Sequence, residues 1–183
     1  MSRVRSSKWL CVWCAAVVCA AATIVHAAQT TLRIVPIVHD NEVLVSFEVP
    51  DGYTNDVRDA IASGLRTTFS YDVQVRMRTA IWVDPLIEKA TISVSDRYDN
   101  LTRQHALTRT VDGRDQNSTT TENEAVVRQW LTSFDKLVIC KTTKLVPNRE
   151  YYVQVSARVA PDHTSIVGWS SAVVGRMPFT FVP

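Results

Sequence analysis

The segment FSYDVQVRM, residues 69–77, indicates the fold most clearly. Its odd-numbered positions are aromatic or aliphatic, and its even-numbered positions are polar or charged. This alternation is typical of a strand with one buried face, because successive side chains of a strand point to opposite sides of the sheet. The segment ATISVS, residues 90–95, alternates in the same way. We therefore predict two strands here, each packed against a core.

The rest of the chain is organised around the same kind of element. Further strands are predicted at residues 31–38, 43–49, 101–111, 137–140, 151–159 and 172–181. Turn-forming pairs such as Asp40-Asn41 and Asp112-Gly113 separate several of them. The polar segment 112–123 has no apolar alternation, so it is expected to be a long loop. About seven or eight strands are predicted in total.

Two segments instead have helical spacing. Val57, Ile61 and Leu65 recur every four residues after Thr54, which is a suitable N-cap. A second helix is predicted from Thr121, with the pair Thr121 and Glu124 forming a capping box. The apolar residues expected on one side of this second helix are Val126, Val127, Trp130, Leu131 and Phe134. Both helices are expected to be amphipathic covers for a sheet.

The pattern around Tyr151 points to a particular architecture. Leu145 and Pro147 precede Tyr151, and Val155 and Ala157 follow it on the same predicted strand. This spacing resembles the tyrosine corner of immunoglobulin and fibronectin type III domains, in which the phenol hydrogen-bonds to the backbone just upstream. The resemblance implies a mainly β fold, an immunoglobulin/fibronectin type III-like β-sandwich with two short amphipathic helices. Structural roles are therefore predicted for Tyr151, Leu145 and Pro147.

The N-terminus has the pattern of a secretory signal. Three cations, Arg3, Arg5 and Lys8, precede the uncharged run 9–25, and Ala27 supplies the small residue of a cleavage site. We expect a signal peptide at residues 1–27 and a single β-sandwich domain at residues 28–183. The protein would then be periplasmic or otherwise exported. The alternative is an uncleaved N-terminal segment that anchors the chain in the membrane.

Removing the signal changes the charge and the cysteine count. Three of the 20 Lys and Arg residues precede residue 28, which leaves 17 against 18 Asp and Glu. A basic nucleic-acid footprint is therefore not expected. Cys140 becomes the only cysteine, so no intramolecular disulfide is possible. Its apolar neighbours predict an inert core thiol.

The segment YDNLTR, residues 98–103, supports a second resemblance, together with the signal pattern and a short predicted helix ending near Trp130. In these features the chain is similar to the exported bacterial domain of unknown function 4390 family. The resemblance implies a location in the bacterial envelope. It implies no known reaction and no catalytic residues.

No catalytic motif accompanies these features. The sequence has no G-x-S-x-G elbow, H-E-x-x-H pair, C-x-x-C pair or phosphate-binding glycine loop. We predict no catalytic residue, no metal site and no cofactor. Asp96 and Asp99 are expected to end a strand and form a turn. Three histidines lie near aspartates and would form a metal site only if the fold gathered them: His39, His105 and His163.

A partner-binding surface is predicted around Trp82. Counted along the strand, Trp82 has the same outward parity as Arg76 and Arg78, and tryptophan with arginine is typical of interface hot spots. The alternatives are that the second helix covers Trp82 or that a bulge resets the register.

These features together predict an exported, non-enzymatic cell-envelope protein that acts as a protein-interaction or accessory module. Its expected partner is another envelope protein, with no nucleic acid, and with membrane contact only if the N-terminal segment stays uncleaved. The alternatives are a periplasmic small-ligand sensor domain and, third, a metal-dependent enzyme.

Overall fold

The structure, a computed structural model, describes residues 32–80, 83–161 and 173–182. Within them, nine strands and two α-helices are present. The strands are β1 Arg33–His39, β2 Glu42–Glu48, β3 Thr67–Met77, β4 Leu86–Asp99, β5 Gln104–Val111, β6 Arg114–Thr121, β7 Ser133–Lys141, β8 Glu150–Pro161 and β9 Val173–Thr180. The helices are α1 Asn55–Ala62 and α2 Glu124–Thr132.

The strands form two antiparallel sheets that pack as a β-sandwich. One sheet has the order β1-β2-β7 and the other has the order β6-β5-β4-β3-β8-β9. β3 lies in the middle of the larger sheet, and its odd-numbered residues from Phe69 to Val75 are almost fully buried. The predicted mainly β fold with two short helices is therefore confirmed.

Aromatic side chains join the two sheets at the centre of the core. Phe134 on β7 stacks on Phe47 of β2 with 4.5 Å between ring centroids, and it meets the edge of Tyr71 at 4.8 Å. The Tyr71 hydroxyl donates to the Leu131 carbonyl oxygen at 2.5 Å. Burial raises the pKa of the Tyr71 phenol, and the ring is wholly inside the core. Through these contacts the aromatic cluster packs the end of α2 against both sheets.

A cation also enters this cluster. The Arg109 guanidinium on β5 lies 4.4 Å from the Trp130 ring centroid and 4.6 Å from that of Phe134. Its Nη2 donates to the Trp130 carbonyl oxygen at 3.2 Å. Burial lowers the pKa of Arg109 from its usual value, so the two rings and the carbonyl group stabilise a partly desolvated charge.

The predicted loop at 112–123 is wrong, because most of it forms strand β6. Asp112 and Gly113 both have positive φ, 49° and 75°, and they form a two-residue turn that pairs β6 with β5. Such turns favour Asp-Gly because both central residues need φ above zero. β6 is an edge strand whose residues are nearly all exposed. It buries no apolar face, so the sequence carries no alternation there.

Both helices are shorter than expected. Thr54 is the N-cap of α1, as predicted, but the helix ends at Ala62 and is followed by Gly64 at φ 82°. Leu65 is therefore outside the helix and exposed. The predicted capping box at Thr121 is wrong, because the N-cap of α2 is Asn123, whose side chain accepts a hydrogen bond from the Ala125 amide.

The buried side of α2 is also narrower than the predicted stripe. Val127 and Leu131 are fully buried, whereas Val126 is exposed. Phe134 belongs to β7 and not to the helix, because α2 ends at Thr132 and the chain turns directly into the strand. Phe134 therefore reaches the core from a strand.

Tyr151 enters β8 with its hydroxyl against the upstream backbone. The Val146 amide donates to the Tyr151 hydroxyl oxygen at 2.7 Å, and the ring is buried. Leu145 is buried beside it, and Pro147 begins the turn that continues through Asn148 at φ 57°. The phenol therefore fixes how the chain enters β8.

Tyr151→Phe should lower the free energy of unfolding by about 1 to 3 kcal/mol, because the Val146 amide loses its acceptor. The ring remains, so the fold should be unchanged by circular dichroism. Denaturant unfolding of wild type and variant measures the difference. Tyr98→Phe is the matched control, since no hydrogen bond is made by that hydroxyl within the described residues. Equal stability of all three proteins would contradict a structural role for the Tyr151 hydroxyl.

Candidate functional site

Two of the three residues predicted for partner binding, Arg76 and Arg78, lie at the C-terminal end of β3. The Arg76 side chain donates from Nε to Gln74 Oε1 at 2.9 Å and from Nη1 to the Asp84 carbonyl oxygen at 2.9 Å. Arg78 lies 3.8 Å from Glu150 in an exposed ion pair. Trp82 lies outside the described residues. Arg76 is therefore fixed by two hydrogen bonds, whereas Arg78 makes only a long, exposed ion pair.

Other strands extend this surface. Tyr152 on β8 pairs with Arg76, and its hydroxyl donates to Asp84 Oδ2 at 3.0 Å. The Arg176 guanidinium on β9 lies 5.6 Å from the Tyr152 ring centroid and donates to Gln154 Oε1 at 2.8 Å. These outward-pointing side chains form one surface, which we call the arginine–tyrosine face: Arg76, Tyr152, Gln154, Arg158 and Arg176. Sequence reasoning missed its β8 and β9 members, because their register with β3 is a long-range property.

The arginine–tyrosine face has an excess of positive charge. The acids around it are already engaged. Asp84 accepts from the Tyr152 hydroxyl, and Glu150 on β8 pairs with Arg78. Asp72 on β3 is 3.1 Å from Lys89 Nζ and accepts from the Thr91 hydroxyl at 3.0 Å. Burial alone would raise the pKa of Asp72, but the hydrogen bonds from Lys89 and Thr91 outweigh it and the pKa is lowered. Asp72 is thus neutralised mainly by Lys89, with a smaller contribution from Arg158. Within the described residues, the arginines of the face form no ion pair of their own.

Of the three histidines considered for a metal site, the two that the structure describes, His39 and His105, lie in different sheets. His39 ends β1 and lies 3.2 Å from Asp40, with both side chains exposed. His105 lies in the other sheet, on β5, and His163 lies outside the described residues. Across residues 32–80, 83–161 and 173–182, no three His, Cys, Asp or Glu side chains are grouped closely enough to hold a metal ion.

His105 is instead paired with a buried aspartate. Asp96 has no exposed surface, and its Oδ2 lies 2.8 Å from His105 Nδ1. The expectation that Asp96 ends a strand was wrong, because β4 continues to Asp99 and Asp96 points into the sandwich. Asp99 does form the predicted turn, accepting from the Leu101 amide at 2.8 Å.

Burial dominates the chemistry of this pair. It raises the pKa of the Asp96 carboxyl, and the hydrogen bond and charge of His105 offset part of that rise. The second oxygen of Asp96, Oδ1, makes no hydrogen bond within the described residues. The same is true of the hydroxyl of Thr67, which pairs with Asp96 on the adjacent strand β3. With Asp96 ionised, Nδ1 of His105 donates to it, and Nε2 is the ring nitrogen available to a ligand.

A pocket of about 460 Å³ opens beside His105 at the end of the sandwich that carries the helices. Ile61, Ala62 and the tyrosines Tyr53 and Tyr98 supply its apolar surface, and the Tyr98 ring lies 4.6 Å from the His105 ring. Its charged lining residues are Arg58, Arg103, Glu122 and Glu124. This volume is within the range of small-molecule sites, about 300–1,000 Å³.

Two of the charged lining residues neutralise each other. Arg58 Nε lies 2.6 Å from Glu124 Oε1, and this contact raises the pKa of the guanidinium. Tyr53 lies next to them. Its partial burial and the carboxylates of Glu124 and Asp96 raise the pKa of its phenol. Tyr53 therefore stays protonated and able to donate a hydrogen bond.

A sequence signal for this site exists. Asp96 and Tyr98 continue the inward parity of Ala90, Ile92 and Val94, and His105 shares the inward parity of Leu107 on β5. A carboxylate at an inward strand position predicts a buried, partnered group. That signal marks the aspartate, but only the register of β4 and β5 identifies His105 as its partner.

Cys140 is buried on β7, as predicted. Burial raises the pKa of its thiol to about 11, with a smaller contribution from Glu88. The neutral thiol is a poor nucleophile, which agrees with a packing role.

None of the helices in the described part of the chain has the length and apolar character needed to cross a membrane.

Comparison with known proteins gives one result. Neither the curated proteins nor the solved structures include a significant match to this chain. A family model does match, over residues 28–164, which is most of the chain. On that match, the chain belongs to the family described as Domain of unknown function (DUF4390).

Proposed function

We propose that this protein is an exported, non-enzymatic component of the bacterial cell envelope that acts as an interaction or accessory module for another envelope protein. The signal pattern of residues 1–27 supports export. The family match begins at residue 28, directly after the expected cleavage point, and this agrees with the same division of the chain.

The arginine–tyrosine face is the observation that carries the interaction role. Tyr152, Arg76 and Arg176 belong to the residue types most enriched at binding hot spots. Their side chains are held in place by Gln74, Gln154 and Asp84 before any partner arrives. A prearranged surface loses less side-chain entropy on binding, which favours affinity.

The charge of this face indicates its partner. Arg158, Arg76 and Arg176 are distributed over three neighbouring strands, whereas Asp72 is neutralised by Lys89. Complementary potentials speed association and select partners. The partner we propose is an acidic segment of another envelope protein.

The strand order supports the finer assignment of the fold. The order β4-β3-β8-β9 faces β1-β2-β7, and Tyr151 contacts the upstream backbone where the chain enters β8. This arrangement agrees with a fibronectin type III-like sandwich extended by the hairpin β5–β6. Such sandwiches host many functions, so the proposed role depends on the face and not on the fold.

Site-specific photocrosslinking in cells tests the proposed surface. A photoreactive residue in place of Ser156, which points outward between Asp72 and Val174, should form an adduct with an envelope protein. Arg176→Glu should weaken the adduct several-fold, and raised salt should do the same in extracts, because the attraction is electrostatic. Adduct yield is measured by immunoblot and the partner is identified by mass spectrometry.

Two controls make the test specific. A photoreactive residue in place of Val138, exposed on the opposite sheet, should give no adduct with that partner. Arg114→Glu, at the far edge of the same sheet, should leave the adduct from position 156 unchanged. Equal adducts from positions 156 and 138, or no response to Arg176→Glu, would refute the proposed surface.

The alternative of a small-ligand sensor is favoured by the pocket beside His105. The third candidate, a metal-dependent enzyme, would need several ligands at one site, and His39 and His105 lie in different sheets. The pocket therefore supports the second candidate.

A further inference from the structure

Two residues of opposite charge line the pocket beside His105 without an ion-pair partner among the described residues. Arg103 lies in the turn between β4 and β5, and Glu122 directly follows β6. Both line the pocket and both are exposed. Within the described residues neither forms an ion pair, whereas Arg58 and Glu124 in the same pocket are matched at 2.6 Å.

Strand register places both charges at one end of the β5–β6 hairpin. His105 pairs with Thr121 across β5 and β6. Glu122 is one residue beyond this pair, and Arg103 is two residues beyond it, in the turn before β5. The two side chains do not meet, and each charge is available to a ligand.

The rest of the pocket limits the shape of that ligand. Ile61 and the rings of Tyr53 and Tyr98 form an apolar surface, and His105 is fixed by Asp96 with one ring nitrogen free. A purely anionic ligand would meet Glu122, and a purely cationic one would meet Arg103. An uncharged ligand that covered both would leave two desolvated charges unpaired, which is costly.

We propose that this pocket binds a small zwitterion with an apolar side group, of the amino-acid or short-peptide class. Arg103 holds its carboxylate, Glu122 holds its ammonium group, and the tyrosine rings contact its side group. This site is independent of the arginine–tyrosine face. The pocket and the face use opposite sides of the larger sheet, because Tyr98 and His105 have inward parity whereas the side chains of the face have outward parity.

The test measures binding of defined probes to the mature protein, residues 28–183, by amide chemical-shift titration. Phenylalanine and the dipeptide phenylalanyl-alanine should bind at millimolar or lower concentrations and shift amides of Tyr98, His105 and Ala62. N-acetylphenylalanine keeps only the carboxylate, and phenylalaninamide keeps only the ammonium group. Each blocked probe should bind about tenfold more weakly or worse, because one charged hydrogen bond is lost.

Two variants assign the charges. Arg103→Gln should weaken binding of phenylalanine and N-acetylphenylalanine but not of phenylalaninamide, and Glu122→Gln should show the reverse preference. Both positions are exposed, so the melting temperature should stay at the wild-type value, and Arg114→Gln is the matched control with unchanged binding. Absence of binding by both zwitterions, or blocked probes that bind as tightly as phenylalanine, would overturn the proposal without affecting the crosslinking result at position 156.

Discussion

His105→Ala should destabilise the protein by about 3 kcal/mol at neutral pH, because it leaves the carboxylate of Asp96 buried without its partner. Asp96 is fully buried and its contact with His105 Nδ1 is 2.8 Å. No described side chain other than His105 hydrogen-bonds this carboxylate, since Oδ1 has no partner. Denaturant unfolding at neutral pH measures the loss.

The effect should depend on pH in a defined direction. The pKa of Asp96 is raised in the folded protein, so folding favours its protonated form. The resulting stabilisation is complete below the ordinary carboxyl value of 3.8 and is lost as pH rises through the raised folded-state pKa. His105→Ala removes the hydrogen bond and the charge that lower this pKa, so the pKa of Asp96 should rise further. Ionised Asp96 then costs more stability at neutral pH. The difference between variant and wild type should therefore be largest at neutral pH and shrink in acid.

His39→Ala is the matched control for this experiment. His39 is exposed and its acidic neighbour, Asp40, is exposed too, so surface screening makes their contact weak. The control should differ little from wild type at any pH. Asp96→Asn, which removes the charge but keeps polar atoms, should be less destabilising at neutral pH than His105→Ala. A His105→Ala loss that is the same at neutral and acidic pH would show that the Asp96 charge is not its cause.

Phe134→Ala should cost about 3 to 5 kcal/mol, the usual range for removing a buried aromatic side chain. Phe134 stacks on Phe47, meets Tyr71 edge-on and lies under the Arg109 guanidinium. Its removal leaves a cavity where the two sheets and α2 meet, and it also removes one of the two rings that contact a partly buried cation. Thermal and denaturant unfolding measure the loss.

Val138→Ala on the same strand is the control for Phe134. Val138 is 55% exposed and points away from the core, so its truncation should change stability by less than about 0.5 kcal/mol. Phe134→Leu, which keeps most of the volume, should lie between the two. Similar stability of Phe134→Ala and Val138→Ala would mean that the aromatic cluster does not hold the sheets together.

The alternation along residues 69–77 and 90–95 determines much of the fold by itself. Inward positions such as Tyr71, Val73 and Ile92 are buried as the parity requires, because burial of apolar side chains is a local consequence of strand geometry. The N-cap at Thr54 and the turn at Asp112-Gly113 are also local, since each depends on one side chain or one backbone angle. Features of this local kind can be predicted from the amino-acid sequence.

Strand β6, the end of α2 and the functional surfaces depend on contacts between distant residues. β6 is polar throughout and is a strand only because β5 offers a partner, while Phe134 is strand rather than helix because β2 pairs with it. The sequence alone marks Asp96, Arg76 and Arg103 as charges, but register across β4, β5, β6, β8 and β9 decides their neighbours. The direction in which each side chain points is determined by local strand geometry. Which strands pair depends on the packing of the whole core, and the candidate sites depend on that pairing.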